Sequence, residues 1–215
     1  MILYSYFRSS AAFRVRIALN LKEISYDYRA VHLLNNGGEQ HSAEYTKLNP
    51  SHEVPTLVHE GKALGQSLAI MMYLDQVKPE PALFPKDAHQ RALVVQAAEI
   101  INSGAHPPGN LRVLKELEKR FNATQPQKDD WCAFWVQYGL KAFDAMIQPH
   151  AGAFSFGDQP TAADCYLIPH LTNADRFKVS LENYPTLLKI RANCEKIPAF
   201  VKAGPKFQPD TPKDF

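Results

Sequence analysis

The chain has 215 residues, 45% hydrophobic and 21% charged, with a formal net charge of +2. That is the composition of an ordinary soluble globular protein, long enough for one large or two modest domains. It offers no strong field for nucleic acid or an acidic membrane, and no apolar run approaches the roughly 18 residues that cross a bilayer.

Cys132, Cys165 and Cys194 are odd in number and widely spaced, which suits a reducing cytoplasm and argues against a disulfide framework. The N-terminus enters strand-like sequence at once, without the basic and apolar regions of a signal peptide. Residues 2–7 read as a strand of aliphatic and aromatic residues. Phe13, Ile17, Ala18 and Leu21 then recur at helical spacing. Residues 26–31 read as a second strand, Gly37 and Gly38 mark a loop, and residues 42–48 a short helix. Residues 54–58 alternate as a strand, with Pro55 confined to an edge, an entry position or a cis bond. Glu60 and Gly61 make a hairpin turn, and an apolar helix over residues 68–74 is expected to be capped by Ser67. The order β-α-β-α-β-β-α defines an α/β unit over residues 1–77.

Residues 78–87 carry several prolines and read as a linker. Residues 88–215 then show helical periodicity and no convincing strand. Helices are predicted over 88 to about 105, from 110 to about 121, from 128 to about 147, from 162 to about 174, near 185–194 and near 198–203, before a polar tail. His106, Pro107, Pro108 and Gly109 interrupt the first pair. Trp131, Phe134, Trp135, Tyr138 and Phe143 form an aromatic stripe expected to face the core. Thr161 and Asp164 have the spacing of a capping box and are read as structural.

No metal site is expected. His52 and Glu53 lack the second histidine of a zincin helix, Pro55 forbids a helix interior there, and no cysteine pair has zinc spacing. Nucleotide-binding glycine loops are absent as well. The distinctive place is Arg8, Ser9 and Ser10 between the first strand and helix. A helix start presents unpaired N–H groups and a positive dipole end, so it suits an anion. On local sequence alone the serines serve equally as a plain cap, and Arg8, Arg14 and Arg16 as a solvated face.

The whole pattern resembles the cytosolic glutathione transferases, and within them the zeta class, the maleylacetoacetate isomerases. Carrying the resemblance are the opening stretch through Arg8, Ser9, Ser10, Arg14 and Arg16, then Asn49 and Pro50, Val54 and Pro55, Gln66 and Ser67, Asn110 to Lys115, Arg176 to Val179, and the tail from Gln208 to Pro212. Ala11 stands where the zeta pattern usually has cysteine, and His106 where it often has glutamine, as in bacterial maleylpyruvate isomerases of the class. The implied fold is an α/β N-terminal thioredoxin-like domain plus an all-α C-terminal domain.

The resemblance implies glutathione as coenzyme, a small unsaturated diketo-dicarboxylic acid as substrate, cis–trans isomerisation as the reaction, a cytoplasmic location and a homodimer. It implies Ser9 and Ser10 at the thiolate and Arg8 and Arg176 at the diacid. Val54 and Pro55 would hold the cysteinyl backbone, Gln66 and Ser67 the γ-glutamyl carboxylate, and Gln40 and His106 would also reach the tripeptide. A surface role remains open for His106 and for Arg176. A general glutathione-conjugating transferase and a non-catalytic glutathione-fold binding protein are the competing functions. Lowering a thiol pKa by about two units asks for roughly 2.7 kcal/mol. One hydrogen bond to a charged sulfur (about 1.5–3 kcal/mol) plus a helix N-terminus (roughly 0.3–1) meets that without a general base.

Overall fold

The computed structural model describes residues 1–215. Its elements run β1 (Ile2–Ser5), α1 (Ser10–Leu21), β2 (Asp27–Ala30), α2 (Ala43–Leu48), β3 (Thr56–His59), β4 (Lys62–Gly65) and α3 (Ser67–Val77). Helices follow: α4 (Ala88–Glu99), α5 (Leu111–Phe121), α6 (Gln125–Ile147), α7 (Ala162–Arg176), α8 (Pro185–Cys194) and α9 (Pro198–Ala203). The α/β-then-helical order expected from the sequence is the one observed. Contacts divide the chain into two compact units, residues 1–83 with 195–215, and residues 84–194.

In the first unit the sheet order is β2-β1-β3-β4. β1 and β2 pair in parallel, with Leu3 opposite Tyr28, because α1 carries the chain back to the same end of the sheet. β3 runs antiparallel to both β1 and β4. β1 is shorter than the expected strand because the chain turns after Ser5, the Ser9 N–H closing onto the Tyr6 carbonyl at 3.0 Å. At the β3–β4 hairpin Glu60 and Gly61 both take positive φ, 52° and 75°, the requirement of a two-residue turn that follows strand twist.

Residues 195–215, expected to close the helical half, pack with the first unit instead. The cause is a set of polar anchors on α1: Arg16 Nε donates to the Ala203 carbonyl at 2.9 Å, and Asn20 Nδ2 to the Ala199 carbonyl at 3.0 Å. α1 thus packs between α3 and α9 and is buried from Ala12 to Leu19, both arginines included. The solvated-face reading of Arg14 and Arg16 is therefore wrong; they are 1% and 0% exposed.

The second unit is built around α7, buried on nearly every side from Ala162 to Leu171 and packed on α4, α6 and α8. Its N-terminus carries the expected capping box: Asp164 accepts the Thr161 N–H at 2.7 Å and the Ser155 N–H at 2.8 Å. α6 starts earlier than expected because Thr124 and Gln127 form a second capping box. Its aromatic stripe is not uniformly core. Phe143 is fully buried, whereas Phe134 and Tyr138 are exposed and form edge-to-face pairs with Trp135. α4 passes into a π turn over Ile100–Ala105, so the predicted helix to residue 105 changes hydrogen-bond register before the Pro107–Gly109 break.

Candidate functional site

The β1–α1 turn places Ser9 at the N-cap of α1. With φ −70° and ψ 117°, Ser9 directs its Oγ back to accept the Ala12 N–H at 3.2 Å. An N-cap oxygen used as an acceptor keeps its own proton, so Ser9 still has an O–H to donate outward. Ser10 begins the helix, and both serines are half-buried beside exposed Arg8. Beneath the turn, Arg16 donates to Ser5 Oγ (3.0 Å) and to the carbonyls of Tyr6 (3.3 Å) and Phe7 (3.0 Å). Burial draws the Arg16 pKa down to about 10; its carbonyl and hydroxyl partners offset the cost of enclosing the charge.

Val54 and Pro55 lie just before the β3 ladder, and the peptide bond between them is cis. The Val54 side chain is buried in one apolar cluster with Tyr6 and Phe7, so this bend and the β1–α1 turn share a footing. Two side chains pin the bend. The Tyr45 hydroxyl donates to the Glu53 carbonyl at 2.6 Å and lies 2.8 Å from Thr56 Oγ1, while Asn49 Nδ2 donates to the same two acceptors at 2.9 and 3.0 Å.

At the start of α3 the structure corrects the expected cap. Gln66, with φ 65°, occupies the N-cap and makes no side-chain cap bond; Ser67 is the first helical residue. The Ser67 hydroxyl is instead met by Arg14, whose Nη1 donates to it at 3.3 Å. Gln66 Nε2 donates to the Glu53 carboxylate at 3.2 Å. A buried guanidinium therefore lies below a helix N-terminus, two positive features that together favour an anion. Nothing local in the sequence marks Arg14 for this place, because a lone arginine on a helix gives no sign of being buried.

Gln40 is 5% exposed, its Nε2 near the Leu33 carbonyl (3.5 Å) and its Oε1 enclosed without a hydrogen-bond partner. An open cavity of about 770 Å³, lined by Tyr4, Arg29, His41 and Tyr45 among others, lies elsewhere in this unit and includes none of the predicted site residues.

In the second unit the π turn delivers His106, whose N–H reaches the Ile101 carbonyl at 2.9 Å. Arg176 ends α7, exposed, with its guanidinium 4.8 Å from the centre of the Phe177 ring. Burial pushes the Cys132 thiol up, and the charge of Arg176 acts against that shift. Cys132 Sγ also lies 3.7 Å from where a Cβ on Gly109 would sit. Cys132 thus lies beside the helix break after His106 and feels the charge at the end of α7.

Residues 1–76 match the family described as Glutathione S-transferase, N-terminal domain. A maleylacetoacetate isomerase of Rattus norvegicus is 41% identical over 214 residues, covering 100% of this chain and 96% of that protein. The chain belongs to the zeta class of the glutathione transferases. A solved holo structure of a maleyl pyruvate isomerase, a bacterial zeta-class glutathione transferase, superposes with a TM-score of 0.94 at 41% identity, covering 99% of this chain and 100% of that one. A maleylacetoacetate isomerase from Anaeromyxobacter dehalogenans, solved with glutathione bound in its active site, gives 0.87 at 44% identity, covering 98% and 97%. In this zeta-class transferase the Val54–Pro55 bend shares one apolar cluster of the first unit with Tyr6 and Phe7, the residues that lead into Ser9. Gln66 and Ser67 start α3, while His106 and Arg176 belong to the second unit.

Proposed function

We propose that this protein is a glutathione-dependent cis–trans isomerase of maleylacetoacetate or maleylpyruvate, small unsaturated acids with a carboxylate at each end. The observation that carries the reading is Ser9, an N-cap whose oxygen is occupied as an acceptor while its proton stays available. Glutathione, when bound, supplies the sulfur nucleophile whose addition turns the cis double bond into a rotatable single bond and whose departure restores the coenzyme.

The residues fit that coenzyme. Ser9 donates to the sulfur, and the first turn of α1, with Ser10, adds the positive end of its dipole; both act on the ionised form and so lower the thiol pKa. The backbone of Val54, before Pro55 and outside the β3 ladder, pairs with the cysteinyl backbone as an added strand would. The N-terminus of α3, with Gln66, Ser67 and Arg14 below, holds the γ-glutamyl carboxylate. The Gln40 amide, with an enclosed oxygen that lacks a partner, and His106 complete the tripeptide contacts.

Arg8 and Arg176, both exposed guanidinium groups, hold the carboxylates of the diacid and stabilise negative charge as it develops. The two compact units divide the labour, residues 1–83 with 195–215 binding coenzyme and residues 84–194 substrate. The protein works in the cytoplasm, where its three buried free cysteines stay reduced. It works as a homodimer; Met72 and Val77, 39% and 44% exposed on α3, offer apolar surface for it.

An absorbance assay of both acids with and without glutathione tests the reading. Dialysed enzyme is expected to be inactive until glutathione is added. Ser9→Ala should lose roughly 100-fold or more in kcat, the scale of removing one donor to a developing anion. Arg176→Ala should chiefly raise KM for the diacid. Undiminished turnover without glutathione would overturn the isomerase mechanism, and unchanged diacid kinetics in Arg176→Ala would remove that residue from the site.

A further inference from the structure

Phe7, the residue before the Arg8–Ser9 turn, is gripped by charge at both of its backbone groups. Its carbonyl accepts from Arg16 Nη2 at 3.0 Å. The Phe7 N–H donates to Asp210 Oδ2, also at 3.0 Å, although 203 positions separate the two residues in sequence. The other carboxylate oxygen, Oδ1, accepts from the Tyr28 hydroxyl on β2 at 2.6 Å. Burial first, and then the bond to Asp210, hold that hydroxyl well above the ordinary tyrosine range, with Ser5 opposing the shift. Ser5 is in turn a partner of Arg16. Asp210 and Arg16 thus hold the two backbone groups of Phe7, and Tyr28 and Ser5 brace those two charges beside the turn that presents Ser9.

The tail that supplies Asp210 is itself fixed. Gln208 Nε2 donates to the Lys202 and Gly204 carbonyls at 2.9 and 2.8 Å, and Thr211 Oγ1 to the Pro205 carbonyl at 2.5 Å. Phe215 then sets its ring edge-to-face on Phe7, 5.1 Å between centres. A tail with such anchors on both sides of Asp210 is a strut, because a carboxylate on a loose segment would hold no fixed geometry.

We infer that Asp210 is a positioning residue for the thiolate site: by fixing the Phe7 N–H it sets the direction of the Ser9 hydroxyl and the first turn of α1. The inference rests on the proposed role of Ser9. A hydrogen bond from Ser9 to sulfur is directional, so a tilt of the turn weakens it without removing any group that touches glutathione.

The test is a pH titration of the ultraviolet thiolate band of the enzyme–glutathione complex, with kcat, KM for glutathione and melting temperature measured alongside. Asp210→Ala should raise the apparent thiol pKa by about one unit and lower kcat roughly ten-fold, and Asp210→Asn, which keeps one acceptor oxygen, should fall between it and wild type. Tyr28→Phe should move the thiol pKa in the same direction by less. A residue that only stabilises the fold would lower the melting temperature and leave the thiol pKa in place; that result in Asp210→Ala overturns the inference. If Asp210→Ala does not fold, an unmoved thiol pKa in both Asp210→Asn and Tyr28→Phe overturns it. Ser9→Ala in the same titration separates the two claims. If it shifts the pKa and the Asp210 variants do not, only the positioning role falls; if Ser9→Ala leaves the pKa unmoved, the thiolate reading falls and the positioning role with it.

Discussion

Arg14 on α1 reaches Ser67 at the start of α3, its Nη1 donating to the serine hydroxyl at 3.3 Å across 53 positions of sequence. The guanidinium is 1% exposed, so it acts through little screening water. Replacing it with methionine keeps most of the volume and removes the charge. Arg14→Met is expected to weaken glutathione binding about ten-fold, a loss of about 1.4 kcal/mol, read by calorimetric titration. Arg14→Lys should not rescue it, since a lysine lacks the planar fork. Unchanged affinity in Arg14→Met would detach this residue from the carboxylate site.

Lys22 is fully buried, and its Nζ meets Asp75 at 2.7 Å and the carbonyls of Lys78 and Pro81 at 2.6 and 2.9 Å. Asp75 also accepts the Leu83 N–H at 2.8 Å, so the pair secures the segment that follows α3. Lys22→Met strands the carboxylate and should cost about 3–5 kcal/mol in urea unfolding. Adding Asp75→Leu should recover part of that loss, because an uncompensated buried charge is then no longer present. A double variant less stable than Lys22→Met would contradict this account.

Gly139 lies inside α6, where glycine ordinarily weakens a helix by about 1 kcal/mol relative to alanine. Here a Cβ would sit 2.6 Å from the Ala105 Cβ and 2.7 Å from His170 Nε2. Overpacking costs about 1–3 kcal/mol and outweighs the helix gain. Gly139→Ala is therefore expected to lower the melting temperature, and a rise would mean that the contact relaxes freely.

Burial pushes the Tyr45 hydroxyl up to about 12, opposed by its bonds to Thr56 and Asn49. The folded value exceeds the unfolded value of 10.0, so the folded state holds this proton more tightly. The stability it contributes is complete below pH 10 and is lost as the pH rises through 12. Urea midpoints followed across that window should fall more steeply for wild type than for Tyr45→Phe. Equal slopes would mean that Tyr45 titrates as a solvated phenol.

Features set by near neighbours are legible in the sequence. Thr161 with Asp164 caps α7 as their spacing suggests, because a cap satisfies N–H groups two or three residues away. The β-α-β-α-β-β-α order and the Ser9 cap are of the same kind, being set by periodicity and near neighbours. The α3 cap falls one residue before the expected Ser67 because Gln66 adopts φ 65°, a conformation that glycine normally marks in a sequence. The aromatic stripe of α6 reads as core because hydrophobicity reports a preference for burial, whereas exposure depends on whether a neighbouring element arrives to cover it.

The sequence by itself determined which segments are strands and helices, where a serine-capped helix start lies, and the zeta-class character of the chain; those signals act over a few residues or survive as a linear pattern. Only the tertiary structure decided that Arg14 and Arg16 are interior, that the last residues join the first unit, and that Asp210 grips the backbone beside Ser9. Each of these decisions is an enclosed charge meeting a partner distant in sequence. Such a group is tolerated only when the fold brings hydrogen-bonding partners to it, and nothing local announces which partners those will be.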